Sequence, residues 1–191
     1  MDTQIFETRT LVRIALVAAL IAALGFVPPI YLPIAAGVPI TAQSLGVMLA
    51  GLLLGARAGA AAVGLFVFVV LLGAPLLSGG RGGLGVLASP TAGFLIGYVA
   101  GGFVTGLVAE RLAARNLPAL ATALIAAIVG GILTVYAFGI PGVAVMANIS
   151  PLKALIGASV FVPGDLIKAV GAAVLATTVL RNWSIAAPHR P

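Results

Sequence analysis

Along most of this chain apolar residues follow one another without the polar face that a helix in water needs. The run "LVRIALVAALIAALGFV" is typical, with a single charge in its first turn. A bilayer core of about 30 Å takes roughly 20 helical residues to cross. The pattern predicts six spans, at 11–27, 41–55, 58–73, 90–109, 118–139 and 163–181. The expected fold class is an all-α integral membrane protein, a six-transmembrane-helix bundle forming one membrane domain over 1–191. The second and third spans are short and imply little tilt or a thinned bilayer. Between the spans, "VPPIYLPIAAGVP" holds four prolines and cannot be a regular helix. "GAPLLSGGRGGLGVLAS" is rich in glycine, and "GIPGVAVMANISP" has proline near both ends. Residues 151–161 read as a short helix lying outside the bundle or re-entering it.

Composition agrees. The chain is 62% hydrophobic and 7% charged, against about 25% charged for a soluble domain. A net charge of +6 raises nucleic acid as a partner, but the basic residues are scattered singly, which argues against it. Cysteine is absent, so thiol chemistry is excluded. The only histidine, His189, lies in the C-terminal tail, and no H-E-x-x-H, Ser–His pair or P-loop is present. An enzyme is not expected, nor any cofactor. The polar start "MDTQIFETRTLVR" reads as mature chain, not a cleaved signal.

With the N-terminus inside, the inner segments carry Arg9, Arg13, Arg57, Arg111, Arg115, Arg181 and Arg190, and the outer ones only Arg81 and Lys153. This positive-inside bias predicts that both termini are cytoplasmic. The long Pro- and Gly-rich connections then lie outside, where they suit a binding mouth.

Few side chains are available for chemistry. "VPGDLIKAVG" places Asp165 and Lys168 three positions apart, on one face of the sixth span. Pro163 and Asp165 suit a first helical turn, whereas Lys168 sits toward the wrong end of the helix dipole. Charges within a membrane are costly and mark functional sites by default; the alternative is an ion pair that only fixes the helix end. "PITAQSL" offers Thr41 as a cap and Gln43 as a group facing a cavity, with Ser44 beside them. Arg81, between glycines in "SGGRGGLG", either closes over a ligand or rides a solvated loop. "SPTAGFLIGY" begins with another cap-like sequence, and Tyr98 and Asn148 are candidate cavity residues. In the first span Ala15, Ala19 and Ala23 recur every four residues, as do Ala18 and Ala22; either set suits close helix approach, within the bundle or to a partner.

"VPITAQSLGVMLAGLLLG", "SGGRGGLGVLASPTAGFLIGY" and "PGDLIKA" occur in the order found in the BioY family, and the chain resembles that family over about 11–181. One stretch, "SPTAG", departs from the more glycine-rich "GPTGG". The resemblance implies a six-helix substrate-specificity (S) component that binds biotin from outside. It also implies uptake through a transmembrane coupling protein and two cytoplasmic ATPases, those of an energy-coupling factor (ECF) module. It makes Asp165 and Lys168 the expected ligand contacts, with Arg81, Gln43, Thr41, Tyr98 and Asn148 as further candidates. Ala15, Ala19 and Ala23 become a docking stripe for the coupling protein. Biotin suits such a site: its ureido ring has two N–H donors for a carboxylate, and its carbonyl and tail carboxylate accept from an ammonium. A lone transporter or channel, and an S component for another vitamin, are the competing readings.

The orientation has a direct check. Cysteines at Thr8 and Pro188 are expected to resist an impermeant thiol reagent on intact cells, while one at Gly79 reacts; labelling of either terminus from outside refutes the topology.

Overall fold

The computed structural model describes residues 7–186, and its regular structure is helical apart from two isolated antiparallel bridges, Ile30 with Ile40 and Leu77 with Arg81. The readings of residues 1–6, His189 and Arg190 lie outside the described residues. Helix α1 is Thr8–Leu24, α2 Gln43–Leu71, α3 Ala92–Ala113, α4 Ala119–Ala126, α5 Val135–Met146, α6 Pro151–Ser159 and α7 Val162–Ala186. Four helical stretches are long and apolar enough to cross a membrane: Gln43–Leu71, Ala92–Ala113, Ala119–Met146 and Val162–Asn182.

The first of these stretches is not one rod. Gly55 has φ 80° and ψ −177°, a conformation open essentially to glycine alone, and the chain reverses there. A Cβ on Gly59 would lie 2.9 Å from the Cα of Gly51, although eight residues of continuous helix span about 12 Å. Residues 43–54 and 56–71 are therefore antiparallel arms, at the place where the sequence suggested two short spans. The second arm starts at Ala56, whose N–H donates to Glu110 Oε1 at 2.8 Å. This carboxylate from α3 satisfies one of the donors that every helix start leaves free. Gly106, one turn earlier on α3, lies so close to Gly55 and Ala56 that any side chain there would meet backbone.

The expected break after residue 139 does not occur. Pro141 sits inside α5, and the helix runs on to Met146. Proline removes one N–H and crowds the preceding turn, but packing sustains the helix there, with Gly142 against the backbone of Gly93 on α3. Between α4 and α5, residues 127–134 wind more widely, as a π-type segment, and Thr134 Oγ1 donates to the Val129 carbonyl at 2.9 Å. The short helix expected within 151–161 is α6: Pro151 occupies its first position, and Ser150 Oγ accepts from the Lys153 N–H at 3.3 Å.

Side-chain size is distributed inside out. On α7, Ala169, Ala172, Ala173 and Ala176 are buried, while Leu166, Ile167, Val170 and Leu175 face outward. Lipid is as apolar as leucine, so large side chains gain nothing by turning inward, and small ones let helices approach. Three apolar clusters fill the interior. One joins α1, α2 and α3; one joins the first arm of α2 to α4, residues 127–134 and α7; and one joins α3, α5, α6 and the loop before α2.

Overpacking the hairpin contact is expected to be costly. Gly106→Val should lower stability in detergent by about 1–3 kcal/mol. Gly64→Ala is the control, with open space around it, and should change little; equal melting temperatures for the two variants would refute the close contact.

Candidate functional site

At the start of α7 the chain turns at Phe161, and the Asp165 N–H donates to the Phe161 carbonyl at 2.9 Å. This places Asp165 in the first helical turn, 6% exposed, with Lys168 one turn further along the same face. Lys168 Nζ lies 2.9 Å from Asp165 Oδ1. The pair is held from three other directions. Ser44, from the first turn of α2, donates to Asp165 Oδ1 at 3.1 Å. Tyr136, from α5, donates its hydroxyl to Oδ2 at 2.7 Å. Lys168 Nζ donates to the Thr41 carbonyl at 2.6 Å and to Ser44 Oγ at 3.0 Å. All three ammonium donors are thus engaged, and both carboxylate oxygens accept.

A cavity of about 40 Å³ adjoins the pair. Its walls include Phe94, Phe161 and Tyr136, with Phe94 edge-on to both other rings at centroid distances of 6.2 and 6.3 Å. Thr41 and Tyr98 also line it, their hydroxyl oxygens 3.5 Å apart. Arg81 lines it as well. Its Nη1 donates to Thr91 Oγ1 at 3.0 Å and its Nε to the Ser78 carbonyl at 3.4 Å, which fixes the guanidinium beside the cavity. A volume of 40 Å³ holds a few waters, whereas small-molecule pockets run to about 300–1,000 Å³.

The structure thus brings together Asp165, Lys168, Arg81, Thr41 and Tyr98, and it revises two candidates. Gln43 borders the cavity, but it is 1% exposed and its amide is committed to the protein. Its Nε2 donates to the carbonyls of Ile21 and Leu76 at 3.2 and 3.0 Å, and its Oε1 accepts from the Ser78 N–H at 3.1 Å. Gln43 braces α1 and the glycine-rich loop against α2. Asn148 is exposed and lies away from the cavity lining. With φ 50° it ends α5 in a left-handed turn, where asparagine is tolerated, and the Ile149 N–H returns to the Ala144 carbonyl at 3.0 Å. The two cap readings also change: neither Thr41 nor the Ser-Pro-Thr sequence caps a helix through a side chain, and Thr91 serves Arg81 instead. A larger groove of about 1040 Å³ lies at the opposite end of the bundle, beside Gly55, Glu110 and Arg181, remote from the ion pair.

The BioY family model matches residues 1–185. The chain belongs to the BioY family. It is 53% identical over 182 residues to the biotin transporter BioY of Rhizobium etli, covering 94% of this chain and 97% of that one. It is 48% identical over 180 residues to the biotin transporter BioY of Rhodobacter capsulatus, covering 90% and 93%. Its fold matches the crystal structure of the S-component for biotin from an ECF-type ABC transporter, with a TM-score of 0.84, 33% identity, and coverage of 95% of this chain and 94% of that one.

In this BioY-family chain, Ser44, Tyr136 and Thr91 escaped the sequence reading as site residues. Ser44 was noticed only as a neighbour of Gln43. Tyr136 gave one usable signal, a phenol in the middle of an otherwise apolar run, where its hydroxyl needs a partner.

The pair's dependence on both charges is measurable. Lys168→Met leaves the Asp165 carboxylate buried without its cation, at an expected cost of about 3–5 kcal/mol in stability. The double variant Asp165→Asn/Lys168→Met is expected to recover most of that loss. Additive losses in this cycle would refute the coupling.

Proposed function

We propose that this chain is the biotin-capturing S component of an ECF-type uptake transporter, a multi-pass membrane protein that recognises biotin's polar head with Asp165 and Lys168. The observation that carries the assignment of these residues is the buried ion pair facing an aromatic-walled cavity. An ionised carboxylate only accepts, so Asp165 suits the two ureido N–H groups; an ammonium only donates, so Lys168 suits the ureido carbonyl. Phe94, Phe161 and Tyr136 would cover the faces of the fused rings, and Arg81 would meet the valerate carboxylate. Thr41 and Tyr98 supply further polar contacts. Gln43 acts indirectly, by holding the glycine-rich loop, and Asn148 has no part in the site.

On this reading the chain is one membrane domain that crosses six times: α1, the two arms of α2, α3, the continuous stretch from α4 to α5, and α7. Both termini face the cytoplasm. The arms are shorter than a full bilayer thickness, which local thinning accommodates. The transmembrane coupling protein would dock on α1. Ala15, Ala19 and Ala23 support this, because they lie on the exposed side of the helix, whereas Ala18 is buried in the bundle. Two cytoplasmic ATPases would complete the module, since no P-loop is present in this sequence.

Biotin titration of purified protein tests the site. Asp165→Asn, if its melting temperature matches the parent, is expected to weaken binding about 10- to 150-fold, the equivalent of one charge-assisted bond of about 1.5–3 kcal/mol. Unchanged affinity in a stable variant refutes the assignment.

Docking is tested separately. Ala19→Trp is expected to retain biotin affinity and to lose co-purification with the coupling protein. Loss of both together would mean that the stripe supports the fold.

A further inference from the structure

Helix α6 exposes mainly apolar side chains, with Lys153 and Ser159 its only exposed polar residues. Its buried side, Ala154, Gly157 and Ala158, packs on the loop before α2, close enough that a Cβ on Gly157 would press on the Ile34 carbonyl. Its outward side carries Leu152, Leu155 and Ile156, 65%, 51% and 50% exposed. These sit at i, i+3 and i+4 and form one continuous surface. Lys153 stands at the border of that surface, and Ser159 spends its hydroxyl on the Ile156 carbonyl of its own helix at 2.7 Å. A helix whose exposed side is mainly apolar is a helix removed from water. Two neighbouring surfaces extend the patch. Val145 and Met146, at the end of the membrane-crossing stretch, are exposed immediately before α6. Ile34, on the loop that α6 holds, is exposed as well.

We infer that α6 and this part of the loop lie in the bilayer interface at the cavity end, with Leu152, Leu155 and Ile156 among the upper acyl chains. The inference rests on the reading of the chain as membrane-spanning, and the occupant follows from continuity: the patch adjoins the exposed apolar end of α5, and the exposed Asn148 and Ser150 between them suit the headgroup layer. Lys153 fits the same placement, its stem lying along the apolar face and its ammonium reaching the phosphate layer. The consequence concerns the ligand site. Phe161 follows α6 directly and walls the cavity, while the loop carrying Thr41 packs on the helix's inner side. Lipid thus supports the wall of the cavity from behind.

Tryptophan fluorescence tests this in phosphatidylcholine vesicles. Trp183 is the only tryptophan, so Trp183→Phe gives a dark background. Into it go Leu155→Trp, Ile156→Trp as a second probe of the same face, and Phe103→Trp in mid-α3 as the membrane control. The α6 probes are expected to emit to the blue of an indole in water. They should lose most of their intensity to lipids brominated near the glycerol end, less to lipids brominated near the chain terminus, and little to aqueous iodide. Phe103→Trp should respond most to the deep bromines. If Phe103→Trp responds while both α6 probes emit as in water and are quenched by iodide, α6 lies outside the membrane and the inference falls alone. If the α6 probes answer to neither quencher, protein covers the patch, and the inference also falls. If Phe103→Trp ignores brominated lipid as well, the membrane-spanning reading is what has failed.

Discussion

The end of the bundle at the start of α7 is organised around one requirement, that a carboxylate and an ammonium be solvated by protein where water is scarce. At a helix centre each such charge costs about 2.5–3.5 kcal/mol to insert, and less near the end. The five hydrogen bonds at Asp165 and Lys168, each of the charge-assisted kind worth about 1.5–3 kcal/mol, are of the size needed to offset that cost. Four of them come from α2, α5 and the loop before α2; the fifth joins the two charges within α7. These three elements must therefore converge on the first turns of α7, and the aromatic walls come with them, because Phe94 and Phe161 stack edge-on in the same junction.

The two charges were legible in sequence because nothing else in their run is polar, and the three-residue spacing fixed their common face. The all-helical, apolar character was legible by length and hydropathy, and the reversal at Gly55 fell where two short apolar runs met. What pairs with the charges was not legible. Ser44 and Lys168 are 124 residues apart, and no local pattern relates them. Gln43 does border the cavity, as read, but its amide satisfies three backbone groups of the protein, and Asn148 ends a helix in a left-handed turn away from it. Pro141 was misread, since a breaker in a water-exposed segment is tolerated where neighbouring helices fix the backbone.

Inside-out packing gives the surface its meaning. The alanines on the exposed side of α1, Ala15, Ala19 and Ala23, form a row of small side chains beside the row of Leu16 and Leu20. Lipid can coat such a row, but another helix packs on it better, because backbones can approach there. The exposed face of α6 is the contrasting case: large apolar side chains with a lysine at their edge suit lipid and its headgroups and leave no path for close helix contact.

On the proposed reading, a site already saturated with internal bonds would recognise its ligand by exchange. Each donor of Lys168 and each oxygen of Asp165 has a partner, and the adjoining space holds only a few waters. A ligand that inserts its own carbonyl between Lys168 and the Thr41 carbonyl replaces one bond with another of the same kind. The net gain then comes from its apolar rings and from any further charge it brings to Arg81. The Lys168–Thr41 bond also ties the loop before α2 to α7. On the same reading an apolar intruder cannot repay the bond it breaks.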